Sequence, residues 1–118
     1  MRVEPVLVTG AAPEESFDRQ WARAVFDNAV ARLDAELAEN PRAEYFMEVR
    51  RRTIGAAGAP EWDAVGVRFG TTANAVKQIA HTMRQRFAML LKLEVLSGVS
   101  SEADLAEEMR YLVRLLST

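Results

Sequence analysis

Residues 60–87 read PEWDAVGVRFGTTANAVKQIAHTMRQRF and contain two helical patterns, one on each side of Gly70. Pro60 suits the first position of a helix, where its missing N–H costs nothing. Gly70 is expected to end the first helix, because glycine adopts the left-handed conformation without a side-chain clash. Gly66 lies where two crossing helices need a small side chain. The pattern predicts a helix-turn-helix over residues 60–92.

The second helix of this motif has an apolar side and a polar side. Thr72 is its predicted N-cap, because a threonine oxygen can accept a hydrogen bond from the first turn. The predicted buried residues are Val76, Ile79, Ala80, Met83, Phe87 and Leu90. The polar side contains Asn74, Lys77, Gln78, His81, Arg84 and Gln85. Asn and Gln bond adenine edges, while Lys and Arg bond guanine or phosphate, so this composition favours DNA reading.

The charge distribution favours the same interpretation over that of an ordinary solvated helix. Residues 64–93 contain five basic residues and no acidic one, while the rest of the chain holds ten basic and seventeen acidic residues. A solvated helix usually carries both signs. The formal net charge is −2, so any nucleic-acid contact must come from a local patch.

Length and composition indicate a single domain of ordinary globular type, with 118 residues, 49% of them hydrophobic and 27% charged. The chain has no Cys and one His, which removes thiolate metal sites and leaves no residues for a catalytic triad. We expect no enzyme activity and no cofactor, since no nucleophile–base pair or phosphate-binding glycine loop is visible. No apolar run approaches 18 residues and no signal-peptide pattern occurs, so we expect a cytoplasmic, nucleoid-associated protein without a membrane partner.

The pattern of the whole chain predicts an all-α fold, a small bundle of about five helices that contains the helix-turn-helix. Residues 1–14 are predicted to be a lead-in, and residues 15–118 the helical domain. A long helix is expected from Glu15 or Ser16 to about Glu39, and a second from about Arg42 to Ile54. The first has a broad apolar face formed by Phe17, Trp21, Val25, Phe26, Ala29, Val30, Leu33 and Leu37.

The last helix, over residues 101–117, is expected to be capped by Ser100 or Ser101. Its stripe of Leu105, Met109, Leu112 and Leu116 is predicted to pack in the domain's own core, the alternative being a partner surface.

Two groups of charged residues lie outside the motif. Asp27 and Asp34 lie seven residues apart on one helix face, and a solvated face is favoured over acid–base or metal chemistry because nothing converges on them. Three successive arginines at 50–52 point in three directions around a helix. One or two of them are expected to reach a phosphate.

The residues resemble region 4, the C-terminal DNA-binding part, of bacterial sigma factors of the extracytoplasmic-function (ECF) group. The best match is residues 62–91, WDAVGVRFGTTANAVKQIAHTMRQRFAMLL, with a Gly turn, Thr, then Ala-Val-Lys and a basic helix ending in leucines. FDRQWARAVFDNAVARLDAEL and RVEP are similar to the stretch before region 4 in one ECF branch, and SSEADLAEEMRYLVRLL to that branch's C-terminal helix.

The resemblance implies promoter recognition, with region 4 docking on the β-subunit flap of core RNA polymerase and the second helix reading the −35 element. Lys77, Gln78, His81 and Thr82 correspond to family positions that face DNA. Thr72 and Asn74 lie at the helix tip, where N–H groups can hold a phosphate. Arg84 and Arg86 are expected to contact the DNA backbone. The predicted DNA-binding set is Thr72, Asn74, Lys77, Gln78, His81, Thr82, Arg84 and Gln85.

The sequence departs from the family in two respects. The family usually has arginine and leucine where this chain has Thr82 and Met83. Region 2, which binds the −10 element, is absent, so the chain is either a fragment of a longer sigma factor or a free-standing regulator. The expected partners are promoter DNA, core polymerase, and an anti-sigma factor or the rest of a longer sigma factor. The alternatives are a helix-turn-helix regulator that dimerises through residues 101–117, or a protein-interaction domain that does not read DNA.

Overall fold

The structure is a computed structural model that describes residues 13–55, 60–98 and 102–117. These residues form five helices and no strand, which confirms the predicted all-α class over the described part of the chain. The helices are α1 (Pro13–Ala38), α2 (Ala43–Thr53), α3 (Trp62–Phe69), α4 (Ala73–Leu96) and α5 (Glu102–Leu116). Residues 1–12 of the predicted lead-in and the predicted caps Ser100 and Ser101 lie outside the described residues.

The chain divides into two compact units. One contains the described residues up to Asn28 together with those from Leu91 onward. The other runs from Ala29 to Leu90 and contains α2, α3, the second part of α1 and most of α4. None of the described helices is long and apolar enough to pass through a lipid bilayer.

The first unit is held together by apolar side chains of α1, α4 and α5. Its buried cluster consists of Ala22, Val25, Val95, Leu112 and Leu115, with Trp21, Leu91, Leu105, Met109, Tyr111 and Leu116 packed against it. The predicted stripe of α5 therefore packs within its own unit. The hydroxyl of Tyr111 also donates a hydrogen bond to the Asp18 carboxylate.

Phe17 was wrongly predicted to be buried, since its side chain is 60% exposed. Successive residues of a helix point about 100° apart. The neighbouring Asp18 points toward α5, where it meets Tyr111, so Phe17 is turned away from the core.

The second unit has a core to which all four of its helical segments contribute. Its buried apolar residues are Ala29, Leu33, Leu37, Tyr45, Val49, Ile54, Val65, Val76, Ala80, Met83, Phe87 and Leu90. The set includes every residue predicted for the buried side of α4 except Ile79, which is half-buried. Between α1 and α2, the Asn40 side chain accepts a hydrogen bond from the Arg42 N–H at 2.7 Å and stabilises the turn.

Helices α3 and α4 are joined by a three-residue turn at which both helix ends are capped. Gly70 is left-handed, with φ 71°, as predicted. The N–H groups of Thr71 and Gly70 donate to the carbonyls of Gly66 and Val67, which is the Schellman arrangement. Thr72 is confirmed as the N-cap of α4, because its Oγ1 accepts a hydrogen bond from the Ala75 N–H at 3.1 Å.

The prediction that Pro60 opens the first helix of this pair was wrong. Helix α3 begins at Trp62, and Glu61 before it has φ 45°, in the left-handed region. A left-handed residue cannot continue a right-handed helix, so Pro60 lies outside α3.

At Gly66 the backbone of α3 lies close to the backbone of the turn and to the first residue of α4. A Cβ at this position would lie 2.8 Å from the Thr71 carbonyl oxygen, 3.1 Å from the Thr72 carbonyl carbon and 3.2 Å from the Ala73 nitrogen. All three atoms belong to the backbone, which cannot rotate away as a flexible side chain can. The predicted need for a small side chain is confirmed.

We expect Gly66→Ala to destabilise the protein by up to about 2 kcal/mol in urea unfolding. Forcing a methyl group against backbone costs roughly 1–3 kcal/mol, and alanine's higher helix propensity offsets about 1 kcal/mol of this cost. Gly98→Ala is the matched control, because a Cβ there meets only the Val95 carbonyl oxygen at 3.7 Å. Equal stability of the two variants would contradict the close approach at Gly66.

Candidate nucleic-acid interface

The eight predicted DNA-binding side chains are all exposed. At 100° per residue, Asn74, Lys77, Gln78, His81 and Gln85 fall within an arc of about 100° on α4, with Thr82 and Arg84 on its two flanks. These residues span about 16 Å along the helix axis. We call this surface the α4 polar face; it consists of Asn74, Lys77, Gln78, His81, Thr82, Arg84 and Gln85.

The buried side of α4 holds the polar face in a defined orientation. Val76 and Ala80 are completely buried, and Met83 is 4% exposed. Because these residues lie on the opposite side of the helix, rotation of α4 would bring apolar side chains into water. The Thr72 cap meanwhile defines where the helix starts, and so the position of Asn74 in its first turn.

Two of the five basic residues between positions 64 and 93 form ion pairs with carboxylates of the same chain. Arg68 forms ion pairs with Glu44 at 3.2 Å and with Glu48 at 3.5 Å. Arg86 binds Glu36 of α1. The contact of Arg86 with the DNA backbone stays a prediction; in this structure its guanidinium is bound to Glu36. Lys77, Arg84 and Lys92 form no ion pair with the residues that the structure describes.

The Arg86–Glu36 contact has two hydrogen bonds. Arg86 Nε donates to Glu36 Oε1 at 2.9 Å, and Nη2 donates to Oε2 at 2.5 Å. The hydrogen bond from Arg86 holds the pKa of Glu36 below its ordinary value, against the smaller upward effect of burial. The same contact raises the pKa of Arg86.

The arginine run at 50–52 also binds carboxylates of the chain, while a phosphate contact by one or two of these arginines stays a prediction. Arg50 donates to Asp34 through Nε at 2.7 Å and Nη2 at 2.9 Å, and this pair joins α2 to α1. The prediction that Asp34 lies on a solvated face was thus wrong. Asp27 does lie on an exposed face, where it pairs with Arg23 at 3.5 Å.

Glu48 is a buried carboxylate whose importance the sequence reading missed. Its oxygens accept hydrogen bonds from Arg51 at 2.9 Å and Arg52 at 2.6 Å, and Arg68 of α3 approaches at 3.5 Å. Hydrogen bonds from Arg52 and then Arg51 hold the pKa of Glu48 below its ordinary value, although burial opposes them. The i,i+3 and i,i+4 spacing was visible in the sequence. The contact with Arg68, across 20 residues, was not.

An apolar groove of about 350 Å³ lies beside the α4 polar face, within the second unit. Its floor and walls are Leu33, Leu37, Phe46, Ile79 and Met83, and its rim is Glu36, Gln78, Thr82 and Arg86. Two members of the polar face, Gln78 and Thr82, therefore also border the groove. The sequence did not reveal this groove, because α1, α2 and α4 all contribute to it.

Comparisons of the chain with protein-family models, with curated proteins and with solved structures gave no match. Among the described residues, no group of three or more Asp, Glu or His side chains is placed to hold a metal ion.

We expect Glu48→Gln to lower the free energy of unfolding at pH 7 by about 1.5–3 kcal/mol, since hydrogen bonds to charged groups contribute on that scale. A carboxylate with a depressed pKa stabilises the fold above its unfolded-state pKa of about 4.3 and loses this contribution as pH falls through the lower folded-state pKa. Urea unfolding between pH 7 and pH 3 should therefore show a flatter pH dependence in the variant. Glu107→Gln, at an exposed position of α5, is the control; an identical pH profile for Glu48→Gln and the wild type would contradict this role.

Proposed function

We propose that the chain binds double-stranded DNA by placing the N-terminal half of α4 in a major groove, with α3 and α4 acting as a helix-turn-helix. The observation that carries the proposal is the α4 polar face: seven exposed polar or basic side chains, opposite the buried Val76, Ala80 and Met83 and without an acidic residue. A major groove about 12 Å wide accommodates one α-helix, and residues near the N-terminus of the second helix meet base edges.

The chemistry of the polar face suits a division between base and phosphate contacts. Gln78 and Asn74 carry amides that can form paired hydrogen bonds with adenine, and Lys77 can bond guanine or a phosphate. Arg84, on one flank of the arc, is suited to the DNA backbone. Thr72 caps the helix, whose first-turn N–H groups and dipole favour an anion.

We further infer that this DNA binding serves promoter recognition, with the chain acting as a module like sigma region 4 that reads a −35-type element and docks on the flap of RNA polymerase. The resemblance of residues 62–91 to that family supports this role. The apolar groove beside α4 supports it as well, since grooves of this kind receive the apolar face of a partner helix. Docking there would place the partner next to Gln78 and Thr82, and so next to bound DNA.

The dimeric alternative has less support. The α5 stripe that would form a dimer is packed in the chain's own core, with Leu112 completely buried.

We expect Lys77→Ala and Gln78→Ala to weaken binding to a duplex obtained by selection from random sequence, measured by fluorescence anisotropy at several salt concentrations. Gln78→Ala should cost about 5- to 100-fold on the selected duplex, the scale of one paired base contact. If Lys77 binds a phosphate, its removal should reduce the slope of log K against log salt by about 0.9.

Two matched controls test whether the loss of affinity depends on where the substituted residue lies. Lys92→Ala removes the same charge about four turns further along the same helix, and Gln20→Ala removes an exposed glutamine of α1. Neither should change affinity by more than about twofold. Normal DNA binding by Lys77→Ala and Gln78→Ala, with circular dichroism showing intact helices, would contradict the proposal.

We also expect saturable binding to core RNA polymerase and to an isolated β-flap fragment, measured by titration of labelled protein. Phe46→Ala removes a half-buried wall of the groove and should weaken both interactions. Val113→Ala, at an exposed apolar position of α5, should leave them unchanged. Absence of binding to both partners by folded protein would leave a stand-alone DNA-binding regulator as the better interpretation.

A further inference from the structure

Arg86 is a basic residue of α4 whose ion pair with Glu36 has no role in the proposed DNA binding. It lies one turn after Thr82 and two turns after Gln78, on the edge of the α4 polar face that borders the groove. Its guanidinium does not extend toward that face. It is held by both oxygens of the Glu36 carboxylate, which belongs to α1 and lies 50 residues earlier in the chain.

The fork geometry of this contact is the one with which arginine binds phosphate. A guanidinium binds carboxylate and phosphate through the same pair of parallel N–H groups. Glu36 therefore occupies the donors that a DNA phosphate would use.

The contact is also open to solvent, with 46% of the Arg86 side chain and 41% of the Glu36 side chain exposed. An exposed ion pair contributes little to folding, so the fold does not depend on it. By comparison, Arg50 and Asp34 are 17% and 30% exposed and join α2 to α1. The lowered pKa of Glu36 agrees with a carboxylate that remains charged and bound to Arg86.

We propose that Arg86 is a latent phosphate-binding residue of the α4 interface and that Glu36 reduces DNA affinity by holding its guanidinium. This inference rests on the proposed DNA binding. It assigns to Glu36, a residue outside the interface, an effect on the affinity for DNA. Removing the carboxylate charge frees one cation beside the DNA and leaves the polar face itself unchanged.

The test compares Glu36→Gln with Glu39→Gln in anisotropy titrations with the selected duplex over a range of salt concentrations. Both variants remove one negative charge near the end of α1, but Glu39 is an exposed residue that forms no ion pair with the described residues. We expect Glu36→Gln to raise affinity about three- to tenfold and to steepen the salt dependence by about 0.9, which corresponds to one additional phosphate contact. Glu39→Gln should change affinity by less than about twofold and leave the slope unchanged.

Arg86→Ala identifies the residue responsible. Alone it should change affinity by less than about twofold, because Glu36 already withholds the guanidinium. Combined with Glu36→Gln, it should abolish both the gain in affinity and the steeper slope. Circular dichroism and urea unfolding of all four variants check that the helices and their stability are retained.

The other outcomes overturn the inference in distinguishable ways. Equal effects of Glu36→Gln and Glu39→Gln would show that only overall charge matters. A large loss of affinity in Arg86→Ala alone would show that Arg86 contacts DNA without restraint by Glu36. In both cases the wild-type protein still binds DNA and the proposed function stands. Absence of binding by the wild type and by Glu36→Gln would overturn the inference and the proposed function together.

Discussion

The contact between the backbone of α3 at Gly66 and the first residues of α4 is the constraint on which the candidate interface depends. The Thr71 carbonyl oxygen lies only 2.8 Å from the position that a Cβ at residue 66 would take. The same turn contains the left-handed Gly70 and the Thr72 cap, so the end of α3 and the start of α4 are defined within seven residues. Since the polar face begins two residues after the cap, its position relative to α3 follows from this turn.

A second constraint is electrostatic: ion pairs within the chain reduce the number of basic side chains that are available to bind DNA. Arg50 joins α2 to α1, while Arg68 joins α3 to two glutamates of α2. The ring contact of Tyr45 with Phe69, with centroids 5.0 Å apart, adds an apolar connection between the same two helices. Several arginines that contribute to the basic character of the sequence thus bind the chain's own carboxylates. The positive charge that remains on the second unit's part of α4 without such a partner in the described residues is at Lys77 and Arg84.

Most of the helical architecture was accessible from the sequence, because helix formation follows local signals. The buried and exposed sides of α4, its cap at Thr72 and the left-handed Gly70 all follow from spacing and backbone preference within a few residues. The failures also have local causes. Pro60 is a favourable opening residue, but left-handed Glu61 separates it from α3. Phe17 continues the spacing of the α1 stripe, but the core of its unit lies on the side of Asp18 and Val25.

The candidate site likewise has some features that the sequence predicted and others that it could not predict. Periodicity along α4 was sufficient to select six of the eight predicted residues, because an amphipathic helix has only one side available for burial. Thr72 followed from helix capping and Thr82 from the family resemblance, and the structure places all eight on the surface. The partners of Arg86, Arg68 and Arg50 were not accessible, since each pair joins residues 16 to 50 positions apart and depends on how helices pack. The groove beside α4 is likewise formed by three helices. Local sequence thus specified which side chains face outward, while tertiary packing decided which charges remain available there, because an ion pair requires two side chains to meet in space.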